Sequence, residues 1–192
     1  TYVTQLRTGA ASGAAFDALA RKDAKVGALI GTGGQAATQL EAMLCARNLE
    51  TVRIFDLDPE RLNAFVERMR QELGSYGAEL IAAASSDEAV EGADILVTMT
   101  PSLKPVFNAD KVKPGCTVSC VGAYQPHMQE MDPKILPRAS KIYFDSQSAV
   151  LAESGDIIIP LNDGTISESA FTGELGDVLL SLIHISEPTR QE

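Results

Sequence analysis

The chain has 192 residues, 45% hydrophobic and 22% charged, a globular make-up with room for one ordinary domain and part of another. Its formal net charge of −10 argues against a nucleic-acid or anionic-membrane surface, and no apolar run reaches the roughly 18–20 residues of a membrane-spanning helix. Cys45, Cys116 and Cys120 are odd in number and form no CxxC, so they are expected as reduced structural thiols in a cytoplasmic protein.

Residues 1–23 space Ala10, Ala11, Ala14, Ala15, Ala18 and Leu19 as a lead-in helix, with Arg21-Lys22-Asp23 as its polar exit. Ahead of it stands Arg7-Thr8-Gly9-Ala10-Ala11-Ser12. An arginine among small residues at a helix start could present its fork to a carboxylate or phosphate, although composition alone favours a solvated arginine.

The stretch from Lys25 to Asp56 is the most informative. Val26-Gly27-Ala28-Leu29-Ile30 is too short for a globular helix and reads as a buried parallel strand. Gly31-Thr32-Gly33-Gly34-Gln35-Ala36 fits G-x-G-x-x-G/A; a helical period follows through Ala36, Leu40, Met43 and Leu44, and then a strand, Val52 to Phe55, closed by Asp56. In that setting Gly31 permits a tight turn, Gly33 lets the backbone approach a pyrophosphate, and Ala36 lets the helix pack on the sheet. The amides at the helix start bind phosphate. Asp56 is placed to accept from the adenosine ribose hydroxyls, which favours NAD over a 2′-phosphorylated cofactor.

The rest continues in α/β order. Asp58-Pro59 starts a helix with an apolar stripe through Leu62, Phe65, Val66, Met69 and Leu73, ending near Gly74. Glu79–Ala83 is a third strand, and Ser85 and Glu88 form a capping box for a short helix to Ala93. Ile95–Thr100 is a fourth strand whose carboxyl end opens into a loop, so that Thr98 or Thr100 could touch a cofactor or simply be β-branched strand residues. A fifth strand, Cys116–Val121, runs into the loop Gly122–Glu130, and a sixth is expected at Lys141–Asp145. A short helix from Ser148 to Ser154 precedes an irregular stretch, Asp156–Thr165, with a turn at Asn162-Asp163-Gly164. Six strands with interleaved helices predict a doubly wound parallel sheet.

Walker A, H-E-x-x-H, G-x-S-x-G and EF-hand sequences are absent. With His127 and His184 as the only histidines, no metal site is expected. His127 could shuttle a proton, or be an exposed loop histidine. The end of the chain, 180–192, reads like a translated sequencing adaptor and is set aside.

Taken together, Arg7 to Ser12, Gly31 to Ala36, Gly92-Ala93-Asp94-Ile95, Thr98-Met99-Thr100-Pro101-Ser102, Val121 through Glu130, Asp145-Ser146 and Glu153-Ser154-Gly155-Asp156 resemble the ornithine cyclodeaminase/mu-crystallin family over residues 1 to about 179. The resemblance implies a Rossmann NAD-binding domain over 1–166, the start of a return to a dimerisation domain over 167–179, and a separate substrate and dimerisation domain largely missing from this chain. It implies that Arg7 holds a substrate carboxylate beside the nicotinamide and that Thr4, Gly34, Gln35, Asp56 and Thr100 contact the cofactor. Val121, Gly122 and Ala123 would pass the nicotinamide. The whole protein would be a homodimer that transfers hydride between NAD and a small amino or imino acid.

One departure stands out. Tyr124 occupies the place of the aspartate that exchanges protons with substrate in the cyclodeaminases, and Met128 stands where a lysine would follow. Tyr124 or His127 is then the candidate proton-transfer residue. The crystallin branch suggests an alternative, a non-catalytic NAD(P)-dependent binding protein. A fragment lacking half its site is expected to be inactive alone.

Overall fold

The structure is a computed structural model that describes residues 1–186, with side chains to Ser181. Part of the adaptor-like tail, residues 187–192, lies outside the described residues, as does the side chain of His184.

Helix α1 (Tyr2–Leu19) leads into β1 (Val26–Ile30), followed by α2 (Ala36–Ala46), β2 (Thr51–Phe55), α3 (Pro59–Leu73) and β3 (Glu79–Ala82). The chain then crosses back through α4 (Ser86–Val90) to β4 (Ile95–Thr98) and β5 (Thr117–Cys120). All five strands are parallel, in the order β3-β2-β1-β4-β5. The sheet therefore grows one way from β1 and then the other, which puts a crevice between the carboxyl ends of β1 and β4.

The apolar runs read as buried strands are buried on both faces. Leu29, Ile95 and Val97 join Phe16, Leu40, Met43, Phe65 and Met69 on one side. Ala28, Ile30 and Leu96 join Val90, Phe107, Leu136 and Phe144 on the other. β2 alternates instead: Val52 and Ile54 face the first core, while Arg53 donates to Glu88 O (3.3 Å) and to Glu91 O at the end of α4.

Helices α1 and α2 run side by side in the same direction. Gln5 lies by Gly34, Gly9 meets Thr38 and Gly13 meets Ala42. At the far end buried Arg47 ties the pair together, donating to Asp17 Oδ1 (2.9 Å), Ala20 O (2.6 Å) and Arg21 O (2.9 Å). The first turns of α1 are thereby set at the glycine-loop end of α2.

Three expectations need correction. The sixth strand does not extend the main sheet. Only Tyr143–Phe144 (β6) is extended, and it pairs with β7 (Gly173–Glu174) in a separate two-stranded sheet. Ile142 is engaged there by Thr172, and Phe144 packs edge-on against Phe171 at 4.9 Å. The stretch from Asp156, expected to be irregular, is largely helical: α5 (Gln147–Glu153) is followed by α6 (Gly155–Asn162). Pro160 removes one helical donor, but buried Ile157 and the Asp156 carboxylate anchor the segment, and α7 (Leu175–Ser186) closes the described chain. Finally, α4 stops at Val90 rather than Ala93 because Gly92 turns the chain at φ +77. Ser85 caps it by accepting from Glu88 N (3.1 Å), while Glu88 reaches back to Ala84 N (2.7 Å), one residue before the reciprocal position.

Candidate functional site

At the carboxyl end of β1 the chain turns through Gly31 at φ +99, where a Cβ would sit 2.9 Å from Thr100 Cγ2. Glycine is needed there both for the turn and for the space. Gly33 and Gly34 are exposed, and nothing lies within 4 Å of where a Gly33 Cβ would be, so the loop backbone presents an open face. Ala36 is fully buried at the start of α2, and the Gln35 side chain makes no cap bond to that helix. The first-turn amides, which have no partner within a helix, give the loop an uncapped positive end suited to a pyrophosphate.

Asp56 ends β2 directly across from this loop. Its Oδ2 accepts from Thr32 N (2.8 Å) and Thr32 Oγ1 (2.6 Å); its Oδ1 accepts from Asp58 N (3.0 Å) and from Arg61 Nη2 (2.5 Å). Burial alone would raise this carboxyl, but the Arg61 guanidinium and the Asp58 and Thr32 donors outweigh it and hold the pKa at about 2. Four donors fill a carboxylate. Any further donor would have to displace one of them, and Arg61, half exposed on a long stem, is the most easily moved. Beside Asp56 a cleft of ≈320 Å³ is lined by Phe55, Leu57, Pro59, Leu62 and Ala83, with Leu57 89% exposed at its mouth.

The β4–β5 side is built differently. Thr100, just past β4, and Gly122, just past β5, both donate to Glu130, which is fully buried. Glu130 Oε1 accepts from the Thr100 amide and from Thr100 Oγ1 (2.8 Å), and Oε2 accepts from Gly122 N (2.5 Å). Glu130 N and Met131 N in turn donate to Asp156 Oδ1 (2.8 and 2.9 Å). Burial pushes the Glu130 carboxyl up to about 7 against the pull of these donors, and burial likewise raises Asp156. Val121 and Gly122 are half-buried at this edge and Ala123 is buried.

The sequence candidates fall into two groups. Gly31, Gly33, Gly34, Gln35, Asp56, Thr100, Val121, Gly122 and Ala123 all line the carboxyl edge of the sheet, around the β1–β4 crevice. Thr4 and Arg7 lie on the first turns of α1, at the same end; both are exposed, and Thr4 Oγ1 bonds Thr1 Oγ1 (2.8 Å). Tyr124 is 60% exposed and His127 is exposed, on a loop pinned from below by buried Met128 and by Gly155 N donating to Gln125 O (3.3 Å). Among the described residues, neither the Tyr124 nor the His127 side chain has a hydrogen-bond partner.

Thr32, Arg61, Glu130 and Asp156 were not assigned roles from the sequence. The visible signal was chemical mismatch: an acid between Gln129 and Met131, and another just before Ile157-Ile158-Ile159. Acids so placed are buried only when paired or hydrogen-bonded. Among the described residues no group of three or more His, Cys, Asp or Glu could hold a metal ion.

Comparison with known proteins follows the same lines. The model of the ornithine cyclodeaminase/mu-crystallin family matches residues 1–184. Delta(1)-pyrroline-2-carboxylate reductase of Bacillus cereus is 35% identical over 179 residues, covering 93% of this chain and 54% of the relative. Alanine dehydrogenase of Archaeoglobus fulgidus is 36% identical over 184 residues, covering 95% and 54%. The structure of Thermococcus litoralis Delta(1)-pyrroline-2-carboxylate reductase in complex with NADH and L-proline superposes with a TM-score of 0.89 at 39% identity, covering 95% of this chain and 55% of that one. The chain thus spans about half the length of the relatives it matches.

Proposed function

This chain belongs to the ornithine cyclodeaminase/mu-crystallin family, and on that premise we propose that it is the NAD-binding part of an oxidoreductase acting on a small amino acid or its imine. One observation carries the cofactor reading: Asp56, at the end of β2, is fixed against Thr32 of the open glycine loop, with an uncapped helix start beside it. That arrangement fits a dinucleotide with its adenosine ribose at Asp56 and its pyrophosphate over Gly33 and Gly34. The apolar cleft by Leu57 fits the adenine.

Bound NAD supplies the hydride donor or acceptor, and the protein's part is binding and orientation. The crevice directs the nicotinamide toward Thr100 and Gly122. Arg7, exposed at the same end, is available to pair with a substrate carboxylate. We favour imine reduction or amino-acid dehydrogenation over cyclodeamination, because Tyr124 stands at the cyclodeaminase aspartate position and projects into solvent. Exposed Tyr2, Val3 and Leu6 at the start of α1 are consistent with a further domain and a homodimer in the whole protein.

The test is steady-state assay of the full-length protein with NADH and cyclic imines, with alanine and NAD, and with ornithine. NADH oxidation on an imine, or NAD reduction on alanine, is the expected result. Ammonia release from ornithine without net change in NADH would make it a cyclodeaminase. Cofactor binding with no turnover on any of them would favour the non-catalytic reading.

A further inference from the structure

Glu130 is the one fully buried acid among the described residues, and no cation faces it. Its three donors come from the two strand ends on the far side of the crevice from Asp56: the amide and hydroxyl of Thr100 beyond β4, and the amide of Gly122 beyond β5. Gly122 carries no side chain because a Cβ there would collide with the Thr100 backbone and with Glu130 itself. Asp156, at the start of α6, fixes Glu130 from behind through the Glu130 and Met131 amides. Gly155 allows this, since a Cβ there would strike Met128 O. The segments around Glu130 and Glu153-Ser154-Gly155-Asp156 therefore form one device: α6 holds the acid, and the acid holds the ends of β4 and β5.

We propose that Glu130 is a positioning residue for the nicotinamide half of the dinucleotide, its carboxylate setting the Thr100 and Gly122 backbone against which that ring lies, with Asp156 setting Glu130. This rests on the cofactor reading given above. A buried acid is costly unless its donors are all in place, and here those donors sit at a ligand edge rather than in the fold's interior. The adenosine half is held by β1, β2 and the glycine loop, which Glu130 does not touch. Loss of its carboxylate should accordingly be felt at one end of the ligand only. The ionisable groups facing Glu130 are Asp156 from α6 and Cys120 from β5, whose thiol burial raises well above its ordinary range.

The experiment compares NADH with ADP-ribose, which lacks the nicotinamide, by calorimetric titration at pH 8 on this chain and on Glu130→Gln. Glutamine keeps the shape but turns an amide nitrogen toward the Gly122 or Thr100 donors. The expected result is about a tenfold loss in NADH affinity with ADP-ribose affinity unchanged. Equal losses for both ligands would make Glu130 a residue of the general fold, and no loss for either would remove it from the site; both outcomes overturn the proposal. If wild type binds ADP-ribose but not NADH, the nicotinamide is not seated here and the proposal fails while the adenosine site stands. Binding of neither overturns the proposal together with the cofactor reading. Should Glu130→Gln fail to fold by circular dichroism, Asp156→Ala, which removes the acceptor of the Glu130 and Met131 amides, provides the same split, and equal or absent effects there count against the proposal in the same way.

Discussion

The crevice has two walls, and each is built around one carboxylate. Asp56 on the β2 side takes four donors, one of them the Arg61 guanidinium, and is held at about 2. Glu130 on the β4–β5 side takes three donors with no cation and is pushed up to about 7. Hydrogen bonds to an acid favour its ionised form and burial disfavours it; the paired cation and nearby solvent decide which prevails. The wall proposed for the adenosine is accordingly charged and adaptable. The wall proposed for the nicotinamide is held without a paired cation, by the Thr100 and Gly122 donors to a buried acid.

The largest break in that contrast should come from glycine. Gly122→Ala drives a methyl into the Thr100 backbone, and about 1–3 kcal/mol of stability should be lost with NADH binding. Gly33→Ala meets open space, so it should leave the chemical-denaturation midpoint unchanged while weakening NADH, because its methyl would stand where the pyrophosphate is proposed to lie. Equal destabilisation by the two would erase the distinction between a packed wall and an open loop.

Asp56→Ala comes next. It should weaken NADH about tenfold and narrow the preference for NADH over NADPH, measured by paired titrations. An unchanged preference would show that the ribose lies elsewhere.

The two acids should also separate by pH. Glu130 has a folded pKa above the ordinary 4.5, so its contribution to stability is present below about 4.5 and is lost as pH rises through about 7. Asp56 has a folded pKa below the ordinary 3.8, so its contribution is present above about 4 and is lost as pH falls through about 2. Urea denaturation should therefore find Glu130→Gln costing less stability at pH 8 than at pH 5. Equal cost at the two pH values, or the reverse order, would place Glu130 ionised throughout.

The smallest effect is expected at Arg61. Its end of the ion pair with buried Asp56 is half exposed and partly screened by solvent, and it occupies the acceptor that the proposed ribose hydroxyl would need. Arg61→Ala should tighten NADH by about two- to threefold; weaker binding would mean that Arg61 contacts the cofactor rather than competing with it.

The β1–α2–β2 unit and the place of Asp56 at its edge were legible in the sequence because strand, glycine turn, helix and closing acid follow one another within 25–56, and each step has a local cause. The apolar runs gave the central strands for the same reason. Glu130 and Asp156 were not legible as a pair: 26 residues separate them, and their burial depends on how α6 returns to the sheet edge. That return was itself hidden, since Pro160 and Gly155 argue locally against the helix that tertiary packing imposes. β6 departs from its local pattern for a related reason. Lys141–Asp145 has strand character, but the partner it takes lies at Gly173–Glu174, beyond any local pattern.

The account turns on where a dinucleotide lies. A crystal structure of this chain grown with NADH tests that directly. The pyrophosphate should rest over Gly33 and Gly34 at the start of α2, with the adenosine ribose on Asp56 after Arg61 has moved aside and the nicotinamide against Thr100 and Gly122. NADH bound outside the β1–β4 crevice, or lying in it with the nicotinamide on Asp56, would contradict it.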